Sequence, residues 1–339
     1  MKYPIILTLC LVSISFSTQS QIKDSGSDDP LSYFEITPYI ETTPVMSVDD
    51  AADDICIWVS NSKDQPIYVV GTDKKRGLET YNEWGQRVFD APFGRINNVD
   101  LWDSPIGPIV VGSNRSFNSL DFYKLNIDGS LELLNRYPTG LLDVYGVSFY
   151  LGRNQSTEVF LSDKRGFVKR YAIKLFNDFV SINLLDTIKF SSTIEGIVGD
   201  SYYQRVYVAE EDKGLWYLDL TEDKSTRVKV LKTDRKTLVA DLEGLALADL
   251  EDGEGYIILS VQGNNSYAVI DRKTLTLKAI FQIKSSDLID GTEETDGLEV
   301  STNPRFPVLI VQDGINPGET QNFKWVRWKD ILKQINQNK

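Results

Sequence analysis

The sequence predicts an all-β protein, a six-bladed β-propeller, and three observations carry that prediction. A short apolar strand opened by a polar or acidic residue recurs six times. Each copy is followed by a second apolar run ending in polar residues, and the copies lie roughly fifty residues apart, the period of a blade of three or four strands. The intervening chain is punctuated by Gly, Asn, Asp and Pro, with helical periodicity only in WKDILKQI (328–335).

In chain order, residues 1–21 carry one lysine, a short apolar run and then small polar residues, the pattern of a secretory signal peptide. Leu9 is too bulky for a lipobox before Cys10. No later stretch reaches the ~18 apolar residues of a membrane span, so an exported protein, extracellular or periplasmic, is expected. Residues 22–32 (IKDSGSDDPLS) read as a flexible segment, and 33–339 as one propeller domain. FEITPYIETTPV (34–45) is expected to supply an outer strand that closes the ring with the C-terminal blade.

The six opening strands are DDICIWV (53–59), NVDLWD (98–103), VYGVSFYL (144–151), IEGIVGD (194–200), DLEGLALA (241–248) and TDGLEVS (295–301). Aligned on Asp54, Asp100, Gly146, Gly196, Gly244 and Gly297, they are spaced 46, 46, 50, 48 and 53 residues apart. The second runs are PIYVVGTDKK (66–75), PIVVGSNR (108–115), EVFLSDKR (158–165), RVYVAEED (205–212), YIILSVQGN (256–264) and PVLIVQDG (307–314). A third strand with an aromatic follows several of them, as in LDFYKL (120–125) and LWYLDL (215–220).

Composition narrows the chemistry. With 41% hydrophobic and 25% charged residues the chain is soluble and globular. Its net charge of −13 becomes −14 without Lys2 (35 cations against 49 anions), which argues against nucleic acid as a partner. An anionic ligand therefore needs metal ions or a local basic cluster. Cys56, the one cysteine beyond the leader, sits in an apolar strand and reads as an inert buried thiol. The absence of histidine removes Ser-His-Asp hydrolysis, phosphohistidine chemistry and the usual zinc sites. Residue 62 is serine, so no arginine completes a cysteine-phosphatase loop on Cys56.

In a propeller the first strand of each blade lines the channel, and equivalent strand ends converge on one mouth. The residues placed there are acceptors: Asp53, Asp54, Asp100, Glu195, Glu210, Glu211, Asp241, Glu243, Gln262, Asp290 and Asp296. So many carboxylates repel one another unless cations sit among them, and many oxygen ligands on flexible loops favour Ca²⁺ over Mg²⁺. Lys74, Lys75, Arg115, Lys164 and Arg165 at the ends of the second strands add positive charge, and together these groups suit a phosphate-bearing anion. Taken singly, each acid is as well read as a turn residue, and Lys74-Lys75-Arg76 as a solvated loop. DGTEETDG (290–297) lacks the EF-hand spacing, and Tyr145 and Trp58 are core aromatics by default.

The motifs ETTPV (41–45), DAADDICIW (50–58), DKKRGL (73–78), NNVD (97–100), SNRS (113–116), DVYG (143–146), IEG (194–196), YVAEED (207–212), DLEGL (241–245), QGNNSYA (262–268), TDG (295–297) and QNFKWVRW (321–328) resemble, in order, those of the β-propeller (alkaline) phytases. The resemblance implies a phosphoric monoester hydrolase of the 3-phytase type, acting on phytate and other inositol phosphates as a monomer. It implies a cluster of several Ca²⁺ ions on Tyr145, Glu195, Glu211, Asp241, Glu243, Gln262, Asp290 and Asp296, with Asp53 and Glu41 contributing. A separate stabilising calcium would use Asp54 and backbone oxygens near Ile55 and Val99, and Asp100 belongs to the same acidic set. Lys74, Arg115 and Lys164, assisted by Lys75, would contact phosphate. Ile55-Cys56 stands where the family has Pro-Ala, and Asp73 where it has asparagine. The implied reaction is in-line attack by a calcium-bound water or hydroxide held near Glu195, Glu211 and Tyr145. A calcium-dependent sugar-lactone hydrolase and a noncatalytic binding propeller are the alternatives, the first disfavoured by the basic cluster and the second by the acidic channel.

Overall fold

The computed structural model describes residues 31–60, 62–152, 155–222 and 224–337. The expected signal peptide, and all but the last two residues of the segment 22–32, lie outside the described residues. Six antiparallel sheets follow one another along the chain as the blades of a propeller. Blade 1 is β3 (Ala52–Val59), β4 (Ile67–Asp73), β5 (Gly77–Asn82) and β6 (Arg87–Ala91); blade 2 is β7 (Ile96–Ser104), β8 (Gly107–Asn114), β9 (Ser119–Leu125) and β10 (Leu131–Pro138). Blade 3 is β11 (Val144–Leu151), β12 (Thr157–Asp163), β13 (Phe167–Phe176) and β14 (Phe179–Lys189); blade 4 is β15 (Ile194–Asp200), β16 (Arg205–Glu210), β17 (Gly214–Asp219) and β18 (Thr226–Lys232). Blade 5 is β19 (Leu242–Asp249), β20 (Gly255–Val261), β21 (Ser266–Asp271) and β22 (Leu277–Ile283); blade 6 has β23 (Leu298–Ser301), β24 (Val308–Asp313) and β25 (Asn322–Arg327), followed by helix α1 (Trp328–Gln337).

The N-terminal segment does more than expected. β2 (Ile40–Glu41) pairs antiparallel with β25 and completes blade 6, the predicted closure. Before it, β1 (Ser32–Ile36) adds a fifth, parallel strand to blade 5 beside β22, with Phe34 stacked on Phe281 at 5.3 Å. Ser32 thus belongs to the fold rather than to the leader.

Six apolar clusters hold the ring, each made by two neighbouring blades. Cys56, Trp58 and Val70 of blade 1 meet Val99, Val110 and Tyr123 of blade 2; Val45, Ile55 and Val69 meet Ile310, Phe323 and Trp325 where blade 6 returns to blade 1. The second strands are buried throughout β4, β12, β20 and β24 except at one end residue of β12, because neighbouring blades cover both their faces. They therefore read as unbroken apolar runs rather than alternating ones. At ~1.5–3 kcal/mol for each large apolar side chain fully buried, these interfaces dominate the stability of the ring.

The first strands β3, β7, β11, β15, β19 and β23 contact one another in sequence, and β23 returns to β3. Each of the first five carries a register irregularity near its start, between Ala52 and Ile55, Ile96 and Val99, Val144 and Val147, Ile194 and Ile197, and Leu242 and Leu245. Such bulges re-aim side chains, and here they build the site.

Candidate active site

The first residue of each irregularity is Asp53, Asn97, Tyr145, Glu195 or Glu243, and Asp296 precedes β23 in the same way. These six form an inner ring. Asn97 Nδ2 donates to Asp53 Oδ2 at 2.8 Å and to Glu195 Oε1 at 3.2 Å; Lys74 Nζ bridges Asp53 at 2.9 Å and Asp296 at 3.3 Å. The next residue in four blades is glycine for a steric reason. A Cβ on Gly146 would lie 1.9 Å from Glu195 O, and one on Gly196 would lie 2.2 Å from Glu243 O. Blades 1 and 2 have Asp54 and Asn98 there instead.

This register corrects the alignment read from the sequence. The equivalent of Gly146 in blade 2 is Asn98, and Asp100 lies further along the strand. Its Oδ2 accepts Phe149 N at 2.7 Å and Ser148 Oγ at 2.9 Å. Asp100 therefore groups with Asp54 and Glu299, close enough for each carboxylate to act on the Cys56 thiol. Asp54 is raised to about 8 by burial and by the Asp53 charge, although Val99 N–H donates to its Oδ2 at 3.1 Å; Asp100 is raised to about 6 by burial. The contacts Asp54 makes with Ile55 and Val99 run through their N–H groups.

An outer ring stands one residue beyond the end of each second strand: Lys74, Arg115, Lys164, Glu211, Gln262 and Gly314. Every member donates its backbone N–H to a loop just before the inner ring, to Ala51, Arg95, Asp143, Thr193, Asp241 and Glu293 in turn, at 2.7–3.3 Å. Blades 1 to 3 thus contribute cations to the mouth, and blades 4 and 5 an acid and an amide. Arg115 Nη1 donates to Asn97 Oδ1 at 3.1 Å and Nε to Asp143 Oδ1 at 2.8 Å; Lys164 Nζ lies 4.5 Å from the centre of the Tyr145 ring. Gln262 Nε2 donates to Asp296 Oδ1 at 2.7 Å.

The residues just before this ring, Asp73, Asp163 and Glu210, are buried and hold turns. Asp73 accepts Lys75 N, Asp163 accepts Arg165 N, and Glu210 accepts Ser191 N and Ser192 N. Glu210 is therefore no part of the mouth. Arg165 folds back on Asp163 at 2.7 Å, and Lys75 reaches Val48 O at 2.6 Å, so neither joins Lys74, Arg115 and Lys164.

Glu195, Glu211 and Glu243 each offer an oxygen within 4.8 Å of the others. Burial, then the charges of Glu243 and Asp53, pushes Glu195 well above the carboxylate range. Burial holds Glu243 at about 8, against the pull of a hydrogen bond from Glu195. Glu211 rises to about 7 through burial and Asp241, with Lys164 opposing. Asp296 is pushed well up by burial and Asp53, and Tyr145 upward by burial and the surrounding carboxylates. Burial alone would lower Lys74, but Asp53 and Asp296 raise it. Glu243 Oε2 is buried with no hydrogen-bond partner among the described residues. An acceptor-only set of mutually repelling carboxylates with an unused buried oxygen could hold a hard cation.

Glu41 and Asp290, expected in the central cluster, are placed elsewhere. Asp290 is ion-paired with Lys324, which is fully buried and also binds Asp313 at 2.8 Å; Glu41 Oε2 accepts Asn322 Nδ2 at 3.0 Å. They form a group between blades 5 and 6 whose partners are not ring residues. Asn97, Asp143, Glu299 and Asn322 were not singled out from the sequence. Asn97 could have been found by register, two residues before Val99 as Tyr145 is before Val147.

A propeller whose mouth sets three cations against clustered carboxylates is built for a phosphorylated substrate. The Phytase family profile matches residues 4–339, and a 3-phytase of Bacillus subtilis (strain 168) is 35% identical over 332 residues, covering 89% of this chain and 86% of the relative. The chain belongs to the phytase family and is an enzyme of that class, so the lactone-hydrolase and binding-module alternatives fall.

Proposed function

We propose that the chain is a calcium-dependent phytase, exported by its leader and acting as a monomer, that releases phosphate from inositol hexakisphosphate by direct attack of water. The observation that supports this reading is the placing of Lys74, Arg115 and Lys164 opposite Glu195, Glu211 and Glu243. Calcium at the acidic half would supply positive charge for the phosphoryl oxygens and make water easier to deprotonate. Glu195, Glu211, Asp241, Glu243, Gln262 and Asp296 are the residues proposed to hold it, with Asp53 adjoining. A further ion is assigned to Glu41, Asp290 and the Asn322 amide, whose Oδ1 is buried and unpartnered among the described residues. Asp54 and the backbone at Ile55 and Val99 are proposed to hold a stabilising one.

On this reading Lys74 occupies the mouth as an internal cation and turns to phosphate once Asp53 and Asp296 are otherwise neutralised. Arg115 and Lys164 bind the other phosphoryl oxygens and stabilise charge that grows as the ester bond breaks. Tyr145, held neutral, donates its hydroxyl. Glu211 accepts the proton of the attacking water and returns it to the departing ester oxygen, so that inositol leaves as its hydroxyl. The phosphate removed first is proposed from the 3-phytase relative.

The test is phosphate release from sodium phytate near neutral pH, with calcium and again after EGTA. Release that stops on chelation and returns with calcium is expected. Release that persists in EGTA would remove calcium from the reaction.

A further inference from the structure

We propose that the end of the propeller opposite the mouth carries a second, noncatalytic binding pocket for a phosphate group, formed by Arg327, Lys329, Arg305 and Tyr39. β24 and β25 run between the two ends of the channel wall. Gly314 and Asn322 are at the mouth end, and Phe306 and Arg327 are at the other, about 17 Å away for a six-residue strand. There a cavity of about 240 Å³ is lined by Tyr39, Arg305, Phe306, Pro307, Arg327 and Lys329. Half its lining residues are cationic, in a chain whose net charge is −13.

The three cations have different duties. Arg305 donates to the carbonyls of Ser60, Ser62, Lys63 and Gln65, so it fixes the floor of the pocket and contributes charge more than free donors. The Arg327 guanidinium lies 4.0 Å from the centre of the Tyr39 ring. Stacking fixes its plane while its N–H edge stays open to a planar or tetrahedral oxyanion. Lys329 is exposed, and none of the three forms an ion pair with a carboxylate among the described residues. Lys329 is also the second residue of α1, a ten-residue helix whose start adds positive potential there, although the Trp328 N–H already donates to Pro307 O at 3.3 Å and Asp330 stands in the same turn.

A stacked arginine and an exposed ammonium around a concave wall, beside a helix start, suit a phosphate better than a carboxylate, because a phosphate has oxygens enough to meet them all. The cavity accommodates a phosphate group with part of whatever bears it. Two sources share that chemistry, the free phosphate released at the mouth and the phosphates of an inositol phosphate. The choice of the second probe rests on the phytase reading; the pocket itself does not.

The test is the rate of Lys329 acetylation, followed by mass spectrometry on the full chain in EGTA. Inorganic phosphate, inositol hexakisphosphate and potassium chloride at matched ionic strength are compared, with the paired surface lysines Lys213 and Lys273 as internal controls. Inorganic phosphate should slow Lys329 at least ~3-fold relative to chloride. Arg327→Gln, which keeps the stem over Tyr39, should abolish that protection while circular dichroism shows the same melting. Protection by the inositol phosphate alone, also lost in Arg327→Gln, would assign the pocket to the inositol-linked form. Lack of protection by either probe, or protection that survives Arg327→Gln, would overturn the proposal. Because inorganic phosphate is not hydrolysed, the first arm stands whatever the outcome of the catalytic test, and phytate turnover by Arg327→Gln should match the wild type.

Discussion

The two halves of the mouth share one backbone and differ in side chains. In blades 1 to 3 the outer ring is Lys74, Arg115 and Lys164; in blades 4 to 6 it is Glu211, Gln262 and Gly314, on the same hydrogen-bonded turn. The inner ring follows suit except in blade 1, where Asp53 pairs with Lys74: Asn97 and Tyr145 are on the basic side and Glu195, Glu243 and Asp296 on the acidic side. A six-fold scaffold has thus become a two-sided site, one side suited to phosphate and the other to its counter-cations. Asn97 joins them, giving its amide hydrogens to Asp53 and Glu195 and taking one from Arg115.

If the halves divide the work in this way, substitutions on each should fail differently. The largest effect is expected for Glu211→Gln, which removes the proton acceptor and a calcium ligand together. Turnover should fall by ~10³-fold or more. Melting in EGTA should be unchanged or higher, since a repelling carboxylate has gone. A kcat within tenfold of the wild type would take Glu211 out of the reaction.

Lys164→Ala or Arg115→Ala should instead cost ~10²-fold in kcat/KM for phytate. The calcium concentration giving half-maximal activity should stay where it is. A shift in that concentration comparable to the loss in kcat/KM would erase the division between the halves.

Much of this was legible in the sequence, and the exceptions have physical causes. Repetition of buried second strands gave the blade count, because burial on both faces leaves unmistakable apolar runs. The outer strands β14 and β18 were harder to see, since they have no steady alternation and carry consecutive exposed residues such as Asn183 and Leu184 in β14 and Thr226 and Arg227 in β18. Lys74, Arg115, Lys164, Glu211 and Gln262 lie directly after the second strands and were found by that position. Asp100 was misplaced because the register irregularity of blade 2 falls before it, and Asn97 was missed because an uncharged amide gives no signal of its own. Glu41 meets Asn322 through ring closure, and Asp290 meets Lys324 from the loop that enters blade 6, contacts that composition and spacing do not report.

The electrostatics of the acidic half predict an unusual pH dependence for the metal-free protein. Asp54, Asp100 and Glu243 have folded pKa values raised to about 8, 6 and 8, and Glu195, Asp296 and Glu299 move the same way. A carboxyl raised on folding binds its proton more tightly in the native state, so its stabilising contribution is complete below the unfolded pKa and is lost as pH rises through the folded one. In EGTA, stability should therefore fall between about pH 4 and pH 8, by ~2 kcal/mol or more. Saturating calcium should flatten or reverse that slope, because a cation favours the ionised groups. Thermal melts at several pH values decide the point, and a metal-free protein that grows more stable toward pH 8 would contradict the assigned burial.

The smallest effects should separate neighbours. Lys75 and Arg165 follow Lys74 and Lys164 by one residue, and on sequence alone each pair reads as one basic motif. In the structure the second member turns away: Lys75 is bound to Val48 O, and Arg165 lies on Asp163 with half its side chain exposed. Lys75→Ala and Arg165→Ala should leave kcat/KM within ~2-fold, as expected for surface side chains outside the chemistry. Arg165→Ala should lower melting only slightly, since the Asp163 carboxylate keeps the N–H groups of residues 165 and 167. A tenfold loss in either variant would mean that phosphate binding extends past the outer ring, and the basic half would then be a wider surface than three aligned cations.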